Sequence, residues 1–299
     1  MTEATVYRQG AWHAPLPSID ISIVIVSWNV REHLKANLAR LFSLSDSATR
    51  EIFVVDNASS DGSVNMLRHD FPQVKLIAND ENLGFAKACN QALKLTRGKV
   101  IILLNPDMLV EPGALDKVLA KLESDKTIGV LGIKLTDQSG TPLRTVRRFP
   151  DVWSQLLIIL KLRKFFPGIN RAYECLDFDY SRSQDVDQVR GSFFAFRREL
   201  LDSVGFLDER FFIWLEEVDY CRRVRQVGLR VHYFAETSAQ DIVGASFKQL
   251  KRYPAQKMFL TSLVHYFEKW HPGWQAWLIK GARPFGLLAT KLADIFHLA

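Results

Sequence analysis

The chain has 299 residues, 47% hydrophobic and 24% charged, which suits one large α/β domain, with or without an appendage. Three widely spaced cysteines, Cys89, Cys175 and Cys221, form neither a disulfide framework nor a CxxC metal pattern, so a reducing cytoplasm is expected. The formal net charge is +6, and the whole surplus lies from Ser246 onward; the rest is balanced, which argues against a nucleic-acid partner.

The first residues, Met1 to Ile19, are polar, with Pro15 and Pro17, and lack the apolar core of a signal peptide, so export is not expected. Ile19 to Val26 is a β-branched apolar run followed by Ser27-Trp28-Asn29 and a helical pattern of Leu34, Leu38 and Leu41. Glu51 to Val55 predicts a second strand. It ends in Asp56-Asn57-Ala58-Ser59-Ser60-Asp61-Gly62-Ser63, a cluster of turn and helix-cap residues, before a helix carrying Val64, Leu67 and Phe71. Val74 to Ala78 is a third strand, Asn79 to Gly84 its loop, and Phe85 to Leu95 a helix stopped by Gly98.

Val100 to Leu104 is too short for a helix and reads as a strand buried on both faces. It delivers Asn105-Pro106-Asp107 to the sheet rim, where Pro106 limits the directions Asp107 can take. Alone, this tripeptide is either a strand-leaving turn or a ligand site. Strands alternating with helices imply right-handed crossovers and parallel pairing, so the strand ends leading to Asp56, Asn82 and Asp107 share one rim. No GxGxxG follows the first strand and no P-loop occurs, which weighs against a dinucleotide dehydrogenase or a P-loop kinase.

Gly113 to Leu122 continues as a helix and Gly129 to Leu135 as a strand; Arg144 to Phe149 is a basic patch. Val152 to Phe166 mixes apolar and aromatic residues with Lys161, Arg163 and Lys164, and suits a bilayer surface or the cover of an acceptor cleft. Arg171 to Val186 reads as a polar, mobile loop. Ser192 to Phe196 predicts a strand and Arg198 to Val204 a short helix. An aromatic run, Phe211 to Leu215, then leads to Glu216-Glu217-Val218-Asp219 at the start of a further helix closed by Gly228. Acids there complement the helix dipole, or one of them is a partly desolvated base.

Taken together, ISIVIVSWN, VVDNASSDGS, NLGFAKACN, LLNPD and RGSFFAFRREL with VGFLDERFFIWLEEVDYCRR resemble the bacterial inverting glycosyltransferases of family 2, rhamnosyltransferase-like branch, over about Ile21 to Ser246. The resemblance implies a GT-A fold: α/β, Rossmann-like, with a mixed, mostly parallel sheet and, here, C-terminal amphipathic helices. It implies an N-terminal extension over 1–18 and a glycosyltransferase domain over 19–246, made of a nucleotide-sugar half, 19–135, and an acceptor half, 136–246. A basic, aromatic helical tail over 247–299 follows.

Carried over by position, Ser27, Trp28, Asn29, Asp56, Asn57, Asn82, Gly84, Asn105 and Asp107 would contact the nucleotide sugar, a dTDP- or UDP-sugar. Asp107 would hold a divalent metal, Mg2+ or Mn2+, on the diphosphate. In the acidic run, Glu217 would deprotonate the acceptor hydroxyl, with Glu216 and Asp219 beside it. Asp241 stands where relatives carry a His in an H-x-x-G-x-S stretch, so it is a second candidate metal ligand. Without a metal its charge would repel a diphosphate, which predicts strict metal dependence.

Met258 to Ala299 carries Trp270, Trp274 and Trp277 among basic residues, and Pro272 and Pro284 are expected to break it into short helices. Such helices suit a membrane surface better than packing on the domain or in a dimer. The expected reaction is transfer of a sugar, plausibly rhamnose, to a lipid-linked glycan acceptor in cell-envelope polysaccharide synthesis, on the inner face of the cytoplasmic membrane. The rivals are a sugar nucleotidyltransferase, which would want a Gly-rich basic loop where Ser27-Trp28-Asn29 stands, and a non-catalytic glycan-binding subunit of the same fold.

Overall fold

β1 (Ile21–Ser27) alternates two apolar faces: Ile21, Ile23 and Ile25 join Leu34, Leu38 and Leu41 of α1 (Arg31–Ser43) in one core, while Val24 belongs to a second core on the opposite face. Two apolar faces need two layers of helix, and this layering recurs across the sheet. The computed structural model describes residues 18–242 and 251–295, among which nine strands form one sheet. β1 pairs in parallel with β2 (Arg50–Asp56) and β4 (Val100–Leu104), and β2 with β3 (Lys75–Ala78). The crossover helices are α1, α2 (Ser63–Asp70) and α3 (Phe85–Leu93).

Beyond β4 the direction reverses. β8 (Phe193–Arg197) is antiparallel to β4 and to β6 (Ile128–Thr136), and β6 runs parallel to β9 (Arg230–Asp241), which carries β5 (Met108–Val110) and β7 (Gln184–Val186) antiparallel. Leu104 pairs with Phe193, so the end of β4 meets the start of β8, and Asn105 N–H donates to Ser192 O at 3.0 Å. Met108 pairs with Asp241, and Ile242 N–H donates to Asp107 O at 3.1 Å. Antiparallel pairing thereby folds the later half of the chain back onto the rim where β1, β2 and β4 end.

The stretch read as a polar, mobile loop is ordered. α6 (Pro167–Tyr173) ends within it, Phe178 and Tyr180 pack edge-on to Tyr233 at 5.2 and 5.5 Å, and β7 closes it onto β9. Tyr180 Oη accepts the Thr145 and Val146 N–H groups, so two aromatic residues supply the burial that the polar composition hides.

α8 (Glu216–Gln226) begins the final layer, to which α5 (Val152–Ile159), α9 (Arg252–Trp270) and α10 (Gly273–Ile295) belong. A third core joins Ile159, Phe211, Val218, Leu263, Phe267 and Ile279 across all four helices. Pro272 separates α9 from α10 as expected, but Pro284 does not break α10. Pro284 is exposed, while its neighbours Ala282 and Gly286 are buried; a Cβ on Gly286 would meet Ile159 Cγ2 at 2.8 Å. Packing on both sides of the proline keeps the two halves in one helix. Residues 1–17, 243–250 and 296–299, including the Val243-to-Ser246 part of the motif that starts at Asp241, lie outside the described residues.

Candidate active site

At the rim, a cavity of about 320 Å3 opens between the ends of β1 and β4 and the segment before α8. Trp28, Asn57, Asn82, Gly84 and Asn105 line it, together with Phe85, Pro106, Phe212, Ile213 and Met258. Asn57 organises the cavity wall rather than offering a free amide. Its Nδ2 donates to Asn82 Oδ1 and Gly84 O, both at 3.2 Å, and its Oδ1 accepts from Asn79 Nδ2 at 3.0 Å and Leu83 N–H at 3.4 Å.

Gly84 has φ +82°, and a Cβ there would fall 2.5 Å from Phe212 O, the carbonyl that accepts Phe85 N–H at 2.6 Å. This clasp joins the first half of the sheet to the segment before α8. Gly84→Ala combines left-handed strain with a backbone clash, so we expect a loss of about 2–4 kcal/mol, read as a lowered thermal midpoint. A midpoint within a degree of wild type would show that the clasp gives way freely.

Ser27, Asn29 and Asp56 lie beside the cavity and do not line it. The loops after β1 and β2 are laced together: Asn29, itself at φ +51°, takes Ser60 N–H on Oδ1 at 2.7 Å and gives its N–H to Ser59 Oγ at 2.9 Å. Asp56 Oδ1 accepts Ser59 N–H at 2.9 Å. Asp56 Oδ2 and Ser27 Oγ are buried with no hydrogen-bond partner among the described residues. A buried carboxylate oxygen without a donor is costly unless a ligand supplies one.

The Asn105-Pro106-Asp107 turn is fixed from beneath by Asn37 of α1, whose Nδ2 donates to Met108 O at 2.6 Å and Asn105 O at 3.3 Å. Asp107 and Asp241 are both buried and are brought side by side by the pairing of β5 with β9. Arg190 Nη1 stands 3.3 Å from Asp241 Oδ2, so a cation faces the carboxylate that was weighed against a diphosphate. Among the described residues no cluster of three or more His, Cys, Asp or Glu forms a closed cation cage. Two buried acids one residue apart across the β5–β9 pairing are candidates for a hard cation that completes its shell with phosphate oxygens.

Trp214 and Leu215 sit consecutively at φ +63° and +72°, a strained approach that starts α8 abruptly. The three acids after it have three different fates. Glu216 turns into the core, where burial and the neighbouring Glu217 push its carboxyl well above the ordinary range; burial likewise raises the Cys89 thiol, with the nearby Glu216 adding to the rise. Glu217 is half-buried and packs against Gly191, at the head of β8. Burial raises its pKa, while N–H groups of the helix start, Arg190 and Arg147 hold the rise back. Its Oε2 is buried without a hydrogen-bond partner among the described residues.

Asp219 is not brought to the site. Its Oδ2 accepts from Arg223 Nε at 2.9 Å, and its Oδ1 from Trp270 Nε1 and Lys269 Nζ, both at 2.7 Å. Oδ1 fastens α9 to α8, while Oδ2 is held within α8 by Arg223.

Sequence reasoning missed Arg190, Ser192, Asn37, Phe212 and Tyr173. Tyr173 is buried, which raises its phenol, and it bonds with Gln155 and Arg147 of the basic patch. The visible signal was the Arg190-Gly191 pair immediately ahead of a strand: a cation and a close approach at the sheet rim.

Comparisons with known proteins agree with this geometry. The family model described as glycosyl transferase family 2 matches residues 22–205. The chain is 27% identical over 221 residues to the N-acetylglucosaminyl-diphospho-decaprenol L-rhamnosyltransferase of Mycobacterium tuberculosis, covering 70% of this chain and 71% of that one. It is 26% identical over 262 residues to rhamnosyltransferase WbbL of Escherichia coli, covering 81% and 95%. Among solved structures, the mannosyltransferase PcManGT of Pyrobaculum calidifontis, in complex with GDP-Man and Mn2+, aligns with a TM-score of 0.58 at 17% identity, over 92% of this chain and 75% of that one. The sheet order, the cavity at the strand ends and the match over most of the sheet converge: this chain is a GT-A glycosyltransferase and belongs to glycosyl transferase family 2.

Proposed function

We propose that the protein transfers a sugar, plausibly rhamnose, from a nucleoside-diphosphate donor to a hydroxyl of a lipid-linked glycan, with inversion. The observation that carries the reading is that one segment, Arg190 to Ser192, meets all three parts: Arg190 faces Asp241, Ser192 O accepts from the Asn105 N–H of the Asn105-Pro106-Asp107 turn, and Gly191 lies against Glu217. The base and sugar of the donor occupy the cavity at the strand ends, with Trp28 and Phe212 as apolar walls and Asp56 Oδ2 accepting from the base. Asp107 and Asp241 would hold a divalent cation on the diphosphate, which supplies charge neutralisation for the leaving group.

Glu217 Oε2 removes the proton of the acceptor hydroxyl as its oxygen attacks the anomeric carbon in line. The bond from that carbon to the diphosphate oxygen breaks, and the nucleoside diphosphate leaves with the electron pair. Arg190 faces Asp241 at 3.3 Å and works against the rise that burial gives the Glu217 pKa.

The lipid-linked acceptor is supported by the name of the Mycobacterium tuberculosis relative, an N-acetylglucosaminyl-diphospho-decaprenol L-rhamnosyltransferase, and a role in cell-envelope glycan synthesis belongs to the same proposal. Attachment to the inner face of the cytoplasmic membrane is supported by α10, whose outward face carries Trp274, Trp277 (74% exposed), Phe285 (64% exposed), Leu288, Leu292 and Ile295. No helix among the described residues is long and apolar enough to cross a membrane. This face lies flat on a bilayer, with Lys280 and Lys291 toward anionic lipid.

The test is calorimetric titration of dTDP-rhamnose, UDP-N-acetylglucosamine and GDP-mannose, with Mn2+ or with chelator. One donor is expected to bind only with metal, and Asp107→Ala is expected to weaken it by at least about tenfold. Equal binding in chelator would remove the metal from the reading.

A further inference from the structure

A second opening, about 820 Å3, lies away from the strand ends, between the exit of α5 and the helices α9 and α10. Lys161, Lys164 and Arg252 line it, and no acidic residue does, among the described residues. Neither Lys161 nor Lys164 forms an ion pair with any described carboxylate; the neighbouring Arg163 takes Glu174 instead. Cations gathered around one concavity repel one another, and an anion there turns that repulsion into charge-assisted hydrogen bonds.

The rest of the lining is apolar. Trp214 and Phe259 pack edge to face at 6.3 Å, and Ala289 and Ala293 of α10 leave the floor open. Next to the lysines in sequence, Leu160, Leu162 and Phe165 are exposed; next to the alanines, Leu288 and Leu292 are exposed. A basic concavity with an apolar border suits a ligand that has an anionic head and a hydrocarbon tail, and suits a soluble anion poorly. Trp214 also places the cleft close to the chemistry, since Glu216 and Glu217 follow it after a single residue.

We propose that this cleft holds the phosphate-bearing head of the lipid that carries the acceptor glycan, and so orients the acceptor hydroxyl toward Glu217. The proposal rests on the transferase reading for the identity of the lipid, but not for the existence of the site. The shared chemistry is a phosphate on a hydrocarbon chain, whether a polyprenyl diphosphate or a phospholipid headgroup.

The experiment is calorimetric titration of the full chain with farnesyl diphosphate, compared with farnesol and with inorganic pyrophosphate. Farnesyl diphosphate is expected to bind at least about tenfold more tightly than either fragment, because each fragment meets half of the lining. The double variant Lys161→Gln, Lys164→Gln is expected to weaken it by about tenfold or more, and Ala293→Leu, which fills the floor without touching a charge, to do likewise. Saturating UDP is expected to leave the binding unchanged.

Unchanged affinity in both variants, or displacement by UDP, would overturn the proposal. So would a lysine-dependent loss on phosphatidylglycerol vesicles with farnesyl diphosphate unaffected, which identifies a bilayer headgroup as the ligand. Donor binding in the same samples reports separately on the transferase reading: its absence, with farnesyl diphosphate still bound, would overturn that reading alone.

Discussion

Glu217→Gln is expected to lower kcat by about three orders of magnitude while leaving donor affinity and thermal midpoint near those of wild type. The amide keeps the shape and the contact with Gly191 but cannot take a proton. Loss in kcat with little change in donor Kd separates removal of a base from removal of a binding contact. The pH profile adds a signature. Glu217 must be ionised to act, and its pKa is raised by burial, so activity falls on the acid side at a higher pH than an ordinary glutamate would give. Arg147 and Arg190 work against that rise, so Arg147→Gln is expected to move the acid limb further up. A limb that stays in place would show that another group controls it.

Asp219→Ala is expected to cost about 2–4 kcal/mol, because it leaves Trp270 Nε1 without an acceptor and Arg223 without its carboxylate, while Lys269 keeps only Asp208 as an ion partner. Across a chain of this size that is roughly a ten-degree fall in thermal midpoint. Asp219→Asn keeps an acceptor for Trp270 and is expected to recover part of the loss. Circular dichroism melts of the three proteins give the comparison, and a midpoint for Asp219→Ala within two degrees of wild type would show the network to be dispensable.

The parallel part of the sheet was legible because it obeys local rules. Runs such as Ile21 to Val26 and Val100 to Leu104 are buried on both faces and must be apolar throughout, so the strands, their ends and the cavity residues Trp28, Asn82, Gly84 and Asn105 could be placed in order. In the antiparallel part the strands at Gly129 to Leu135 and Ser192 to Phe196 were legible, but β5, β7 and β9 were not. β9 carries Thr237, Ser238 and Gln240 and shifts register against β6, and β7 and β5 have three residues each, too few to show a period.

Burial of charge was the other blind spot. The acidic run of α8 announces a helix start, but which acid faces the rim and which is spent on structure depends on partners far along the chain; Trp270 is 51 residues from Asp219. The cation that faces Asp241, Arg190, likewise lies 51 residues away in sequence, ahead of a different strand. Pair interactions across the fold leave no trace in local composition.

The fastening of α9 to α8 bears on how this enzyme can be recombined with its relatives. A graft that exchanges the C-terminal helices at residue 251 would remove Lys269 and Trp270 from Asp219 and uncover Phe211 and Val218, the apolar residues flanking the acids of α8. The C-terminal helices are therefore no interchangeable module. A chimera must inherit Asp219 and its partners from a single parent, so α9 and α10 travel together with α8 through recombination.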